Sequence, residues 1–402
     1  MRVLFLSDLE TAGGAAIAAS RLANGLALEG VEVLRFFGTK ATHQSGEPVH
    51  WHARYVGLPR APEIAINGLK RVFPRTAVTL ARRLARAYLL RAVRETRFDL
   101  LHVHAIHNSC WTHAALARLP SALPTVWTFH DFWGFSPESY RFKTLEGKEI
   151  RLKPDGLNRE VSQEWRLRYF GSRERLRLVA NSRATATYAE TCLHVPTRVI
   201  PYGLALDIYQ PIDRASARRA LGLPTEAFIL GFSADTISEP VKGYRVLHEA
   251  LRQLDDAGIW AISMGSSAVG DSSVGNVTVR ALGRIDNPRV QAIVYSAADA
   301  FVIPSLAEAL GQVAMEAISC GTPVIASDTG GIPDLVIPDQ SGWLFPVADI
   351  AALRAIIERL LRDRDTSERL RHSCRALAES SWDLRRRARD YLDVYRDLLS
   401  AQ

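Results

Sequence analysis

Short apolar runs rich in β-branched residues recur along the chain at nearly even intervals, and segments with helical periodicity fill most of the gaps between them. The first set comprises 2–6 (RVLFL), 31–37 (VEVLRFF), 100–104 (LLHVH), 125–129 (TVWTF), 178–182 (LVANS) and 198–203 (RVIPYG). The second comprises 228–234 (FILGFSA), 260–265 (WAISMG), 277–283 (VTVRALG), 300–305 (AFVIPS), 323–327 (PVIAS) and 342–346 (GWLFP). Runs that stay apolar, rather than alternating with polar residues, mark strands buried on both faces. Segments such as 243–254 (GYRVLHEALRQL) space apolar residues three and four apart, as on a helix packed along one side. The pattern predicts an α/β fold of mainly parallel sheets covered by helices. Two sets predict two doubly wound, Rossmann-like domains, 1–200 and 214–382. Their hinge is expected at 201–213, where a run begins that carries three prolines and two glycines by residue 224. A last amphipathic helix is expected at 383–399.

The length agrees, since 402 residues exceed the roughly 250–300 at which one core stops growing. With 47% hydrophobic and 23% charged residues the chain is expected to fold rather than remain disordered. Only five apolar residues precede Ser7 and Asp8, too few for a signal peptide, and no later run reaches a membrane span, so a cytoplasmic location is expected. Cys110, Cys192, Cys320 and Cys374 are too scattered for a disulfide scaffold or a metal site. A net charge of +7 favours anionic partners: nucleotides, acidic membranes or nucleic acid.

Motifs narrow the choice. Neither GxGxxG after the first strand nor GxxxxGK[ST] occurs, so ordinary dinucleotide and P-loop nucleotide binding lose support. Asp363-Arg364-Asp365 falls in a polar gap between helices, the setting of a solvated turn rather than a metal site. His102, His104 and His107 have ligand-like spacing, and Cys110 follows His107 by three residues, but a zinc site is not expected here.

The most informative stretch is 300–334, where a buried strand ends at Pro304-Ser305 and a helix is expected to begin near Leu310-Gly311. Free N–H groups and the dipole at such a helix start suit a diphosphate. Glu308 and Glu316 lie eight residues apart, about 12 Å if the segment is helical throughout. Carboxylates accept hydrogen bonds from hydroxyls, so one suits the sugar and the other the ribose of a nucleotide sugar, with the diphosphate between them.

These two residues, in EALGQVAMEAISCGTPVIAS, resemble the paired-glutamate EX7E motif of the family 4 retaining glycosyltransferases. Further matches run in order through nearly the whole chain: GGAAIAASRLANGL (13–26), FDLLHVHAIHN (98–108), TFHDFW (128–133), VANS (179–182), VIPYGL (199–204), PVKG (240–243) and GGIPDLV (330–336). The HxHxIH and HDFW stretches are most similar to the branch associated with bacterial exopolysaccharide and colanic-acid synthesis. The resemblance implies the GT-B architecture, two such domains facing across a cleft, with the C-terminal helix crossing back onto the N-terminal domain. It implies a nucleoside diphosphate sugar as donor and a saccharide or lipid-linked acceptor. Lys242 then contacts the diphosphate, and His130 approaches the donor sugar beside Glu308. Gly13 and Gly14 face the phosphates or the acceptor. Ala309, Leu310, Gly311 and Gln312 line the donor site, Glu316 takes the ribose, and Arg284-Ile285 borders the base.

Some positions depart from the family's pattern. Arginine is missing beside Lys242, Leu310 replaces a usual phenylalanine, Ala205 a frequent aspartate and Asp334 a common glutamate, which leaves the donor's identity open. No nucleophile stands out, so retention is expected through front-face displacement, with positioning and charge stabilisation as the protein's share. Neither a metal nor another cofactor is expected, and nucleic acid is not an expected partner. A GT-B epimerase or phosphorylase fits the paired glutamates less well. A transferase acting on a small-molecule acceptor, or a non-catalytic scaffold with the same fold, remain alternatives.

Two segments carry separate expectations. The stretch 132–170 holds eight aromatics in 39 residues, among them Trp133 and Tyr140, either as stacking surfaces for an acceptor sugar or as a satellite core. The stretch 70–97 holds nine Lys/Arg and one acid, with Leu80, Leu84, Leu89 and Leu90 near helical spacing. It reads either as a helix docking on anionic membrane, making the protein peripheral, or as one whose leucines enter the core.

Overall fold

A computed structural model describes residues 1–9, 13–39, 50, 52–55, 74–106, 113–136, 140–152, 162–234, 239–256, 258–265 and 270–401. Among the described residues, sixteen strands run in chain order as β1 (Arg2–Leu9), β2 (Glu32–Thr39), β3 (His52–Tyr55), β4 (Leu100–Val103), β5 (Thr125–Phe129), β6 (Tyr140–Lys143), β7 (Glu149–Leu152), β8 (Leu176–Ala180), β9 (Thr197–Val199), β10 (Phe228–Ala234), β11 (Ile259–Gly265), β12 (Gly270–Val274), β13 (Val277–Ala281), β14 (Ala300–Ile303), β15 (Val324–Ser327) and β16 (Gly342–Phe345). The helices are α1 (Gly14–Leu28), α2 (Pro74–Glu95), α3 (His113–Leu116), α4 (Gln163–Gly171), α5 (Arg183–Leu193), α6 (Arg214–Ala220), α7 (Tyr244–Arg252), α8 (Pro288–Ala297), α9 (Gln312–Ser319), α10 (Ile350–Arg362), α11 (Asp365–Ser381) and α12 (Leu384–Ser400).

The strands form two seven-stranded sheets, ordered β3-β2-β1-β4-β5-β8-β9 and β12-β13-β11-β10-β14-β15-β16, plus the hairpin β6-β7. All pairings in the first sheet are parallel. In the second only β12 runs antiparallel, against β13. Every residue of β4, β5, β14 and β15 is buried, as their unbroken apolar runs require. The two doubly wound domains expected from the sequence are therefore present. The sequence pattern did not mark β3, β12 or the β6-β7 hairpin. β12 (GDSSV) shows why: four of its five residues are exposed, and an edge strand needs no apolar run.

In both sheets the strands leave the polar edge in register. Phe129 on β5 stands opposite Ala180 on β8, so His130 and Asn181 emerge side by side. Phe232 on β10 stands opposite Val302 on β14, so the turn carrying Lys242 and the loop carrying Glu308 leave one edge together. The chain passes between the two sheets twice along one line, where Leu204 N–H donates to Trp382 O at 2.8 Å and Leu384 N–H to Leu204 O at 3.1 Å. After the second passage Asp383 caps α12 by accepting from Arg386 N–H. The face Ala388, Tyr391, Leu392, Tyr395 and Leu398, spaced three and four apart, buries against Leu22, Ala23 and Leu26 of α1 and against Val3 and Phe5 of β1. Each large apolar side chain so buried contributes about 1.5–3 kcal/mol, which ties the last helix firmly to the first sheet.

Candidate functional site

A cavity of about 280 Å³ opens where the carboxyl edges of the two sheets meet. From the first sheet come Ser7, Gly13, Gly14, His130, Asp131, Asn181 and Tyr202; from the second come Lys242, Glu308, Ala309, Leu310, Gly311 and Gln312. Strand ends at the crevice of an open α/β sheet are where such folds bind ligands.

Backbone geometry sets the second wall. Residues 240–242 form one 3-10 turn that ends at Gly243, φ +65°. A Cβ on Gly243 would lie 1.8 Å from the Pro304 carbonyl oxygen, so only glycine lets this turn pack against the end of β14. Leu306 N–H donates to Val241 O at 2.7 Å, completing the seam. Lys242 Nζ consequently reaches Glu308 Oε2 at 2.9 Å. Gly330, φ +55°, supports the loop from behind, where a Cβ would come within 1.6 Å of the Glu308 carbonyl oxygen. The helix begins at Gln312, slightly later than the sequence suggested, and Glu308 sits in the preceding loop rather than on the helix. Gly311 precedes α9 without a side-chain cap, and Ala314 N–H turns back to Gly311 O at 3.0 Å, which leaves the N–H groups of Gln312 and Val313 at the helix start to face an anion.

Glu316, one turn along α9, is buried behind this wall and does not line the cavity. Its Oε1 takes Arg21 of α1 at 2.8 Å and its Oε2 accepts from the Tyr295 hydroxyl at 2.7 Å. Arg21 also donates to the Tyr209 hydroxyl at 2.8 Å and to Gln312 Oε1 at 3.2 Å, while Gln312 Nε2 donates to Gly14 O at 2.7 Å. Ser182 donates to Ala309 O at 2.7 Å, and Arg183 pairs with Asp334. The two halves are thus in direct polar contact along α9. Arg21, Tyr295 and Ser182 were not singled out from sequence.

On the first wall, His130 is held at both ring nitrogens. Nε2 lies 2.9 Å from His104 Nδ1, and Nδ1 lies 2.8 Å from the Tyr202 hydroxyl. Asn181 Nδ2 donates to that hydroxyl at 2.9 Å and to His130 O at 3.3 Å. His102 is equally enclosed, between the Tyr395 hydroxyl at 2.7 Å and Thr128 Oγ1 at 2.8 Å. Burial pushes both His102 and His104 well below the usual imidazole range, so both are neutral. His107 lies outside the described residues. Among the described residues no three His, Cys, Asp or Glu side chains group as a metal site. Asp363 terminates α10 and accepts from Thr366 and Arg369, in keeping with a solvated turn.

Other candidates fall elsewhere. Arg284 pairs with Asp286 at 2.8 Å and Ile285 O accepts from Gln291; neither residue lines the cavity. Trp133 must be corrected as an acceptor contact. It is 2% exposed and packs in the first-domain core with Phe135, Tyr169 and Phe170. Arg166 donates to its carbonyl at 2.9 Å, so this part of 132–170 belongs to the first-domain core. Tyr140 opens β6, and its side chain lies outside the described residues. On α2, Ala77, Ala81, Ala85, Leu89 and Ala92 are buried, Leu84 and Leu90 are half-buried, and Leu80 and Tyr88 are exposed. The buried leucine follows the core reading. Arg83, Arg86, Arg94 and Arg118, however, line one open groove without an ion-pair partner among the described residues. No helix among the described residues is long and apolar enough to cross a membrane.

Comparison with known proteins agrees with the fold. Residues 12–208 match the family described as Glycosyltransferase Family 4, and residues 213–376 that described as Glycosyl transferases group 1. The chain is 31% identical to a D-inositol 3-phosphate glycosyltransferase of Actinosynnema mirum over 83% of its own length and 80% of that protein's. To the protein of the same name from Mycolicibacterium smegmatis it is 28% identical, over 92% and 83% of the two lengths. Among solved structures it is similar to sucrose-phosphate synthase from Thermosynechococcus elongatus, with TM-score 0.70, 22% identity and full coverage of both chains. It is also similar to Anabaena HepE in complex with UDP and glucose, with TM-score 0.68 and 21% identity over 99% and 100% of the two chains.

Proposed function

Because this chain belongs to the family 4 glycosyltransferases, we propose that it moves a sugar, with retention of configuration, from a nucleoside diphosphate sugar bound in the 280 Å³ cavity to an acceptor hydroxyl. The observation that carries this reading is the pairing of Lys242 with Glu308 beside the start of α9, which no side chain caps. A cation and free N–H groups suit a leaving diphosphate, and a carboxylate beside them suits a hydroxyl of the departing sugar.

In this reading the diphosphate draws Lys242 away from Glu308, and Glu308 turns to the sugar. Charge that grows on the leaving phosphate is met by Lys242 and by α9. The oxocarbenium-like centre is attacked from the face the phosphate leaves, and the acceptor's proton passes to a leaving phosphate oxygen. No divalent ion is required. Glu316 is assigned to the ribose on the resemblance to the paired-glutamate motif; Arg21 and Tyr295 take two of the carboxylate's roughly four acceptor sites, and the ribose reaches the others only if donor binding opens the wall that now separates Glu316 from the cavity. His130 has both ring nitrogens engaged, so it is assigned to shape the sugar pocket rather than to exchange a proton.

Two acceptor classes have support. Arg83, Arg86 and Arg94 of α2, without an ion-pair partner among the described residues, favour a lipid-linked saccharide taken from an anionic membrane during envelope glycan synthesis. The relatives named for D-inositol 3-phosphate favour a small phosphorylated polyol. Binding by calorimetry tests the donor site: UDP or another nucleoside diphosphate is expected to bind well above the matching nucleoside, and equal affinities would count against the reading.

A further inference from the structure

The chain of groups behind His130 has a definite polarity. His104 is 1% exposed, and its Nε2 has no hydrogen-bond partner among the described residues. Buried N–H groups without an acceptor are rarer than unsatisfied acceptors, so the single proton of neutral His104 belongs on Nδ1. Nδ1–H then donates to His130 Nε2. That places the proton of His130 on Nδ1, where it donates to the Tyr202 oxygen. Asn181 Nδ2 donates to the same oxygen, its orientation fixed because it also donates to the His130 carbonyl. With two hydrogen bonds accepted, the phenol's own hydrogen has neither of these partners to turn to. Burial pushes the phenol far above its usual range, so it keeps that hydrogen at neutral pH. Beside it, Asn181 Oδ1 is a buried acceptor without a partner among the described residues. Both residues line the cavity.

We propose that Tyr202 and Asn181 form a hydroxyl-recognition pair for the transferred sugar, Tyr202 donating and Asn181 accepting, and that His104 is the positioning residue that sets the pair's polarity through His130. A sugar hydroxyl both accepts and donates, so one such group satisfies both atoms at once. The reversed chain is disfavoured because Tyr202 would donate to His130, His130 to His104, and the His104 Nε2–H would be left buried with no acceptor. The sugar as partner rests on the proposed transfer reaction; the polarity of the chain does not.

Two measurements test the inference. The first is ¹⁵N NMR of the imidazoles in the ligand-free protein. The expected result is a proton on Nδ1 and a bare Nε2 in both His104 and His130; a protonated Nε2 on His104 overturns the polarity. His104→Asn, whose amide N–H can stand where Nδ1–H stood, is expected to keep the His130 tautomer, whereas His104→Leu is expected to release it. The second is calorimetry with UDP and UDP-glucose. Wild type should gain affinity from the sugar, and Tyr202→Phe should lose about tenfold of that gain with UDP binding unchanged within about twofold. Asn181→Ala should show the same selective loss, which keeps the test open if Tyr202→Phe folds poorly. A sugar gain that survives both variants, or that is absent from wild type, overturns the pair. Failure of wild type to bind either ligand would instead count against the donor reading, leaving the NMR result to stand on its own.

Discussion

The Arg21 guanidinium on α1 stands 2.8 Å from the Glu316 carboxylate on α9, so a helix of the first domain and a helix of the second share a buried ion pair. Removing one member leaves the other charged and out of water, at a cost of about 3–5 kcal/mol. Arg21→Met is expected at the low end, about 3 kcal/mol, because Tyr295 still donates to Glu316. Adding Glu316→Gln to that variant should recover part of the loss. Urea unfolding of the single and double variants checks this, and strictly additive losses would mean the two groups are not coupled.

Lys242→Ala should weaken UDP binding by at least about tenfold and uridine binding hardly at all, because only the diphosphate carries the charge that the ammonium offsets. Glu308→Ala should lower kcat more than it raises the donor KM, and Glu316→Ala the reverse, as expected if one carboxylate serves the reacting sugar and the other the ribose. Calorimetry and steady-state kinetics separate these cases. Full turnover in both glutamate variants would remove the pair from the chemistry.

Much of this was legible in the sequence because it is local. The apolar runs gave the central strands, and the EX7E spacing located the loop and helix that carry Glu308 and Gln312. What was missed depends on long-range contact. Arg21 lies 295 positions before Glu316 and reads in sequence as one arginine on an amphipathic helix. Tyr202 and Asn181 lie in the matching stretches VIPYGL and VANS, yet nothing local says that they meet His130. Trp133 misled for the opposite reason, since an aromatic cluster has the same composition whether it faces a sugar or fills a core.

Stability should depend on pH through His102 and His104. Unfolded histidines take up protons below about pH 6.5, whereas these two stay neutral in the fold because burial disfavours their charged forms. The stability they confer is therefore fully present above about pH 6.5 and falls as pH drops below it, by up to about 1.4 kcal/mol per pH unit for each histidine. Unfolding measured at pH 7.5, 6.5 and 5.5 should reveal that slope, and His102→Asn should reduce it. A wild-type stability unchanged across this range would contradict the buried neutral state.

If α2 docks on anionic membrane, Arg83, Arg86 and Arg94 are each worth about 1 kcal/mol there, so replacing all three with glutamine should reduce partitioning about 100-fold. Sedimentation with phosphatidylserine vesicles, compared with phosphatidylcholine alone and repeated at high salt, tests this. Binding that resists both salt and the triple substitution would assign the arginines to another task.

The most direct measurement of the central claim is release of nucleoside diphosphate from a panel of nucleotide sugars, including UDP-glucose, by wild type and by Lys242→Ala and Glu308→Ala. Enzyme-dependent release is expected from at least one donor, stimulated by an acceptor and reduced about 100-fold or more in both variants, as for loss of a charge-stabilising group at a reacting centre. Release that proceeds undiminished in both variants, or no release from any donor by a protein that binds the nucleotide, would contradict that claim.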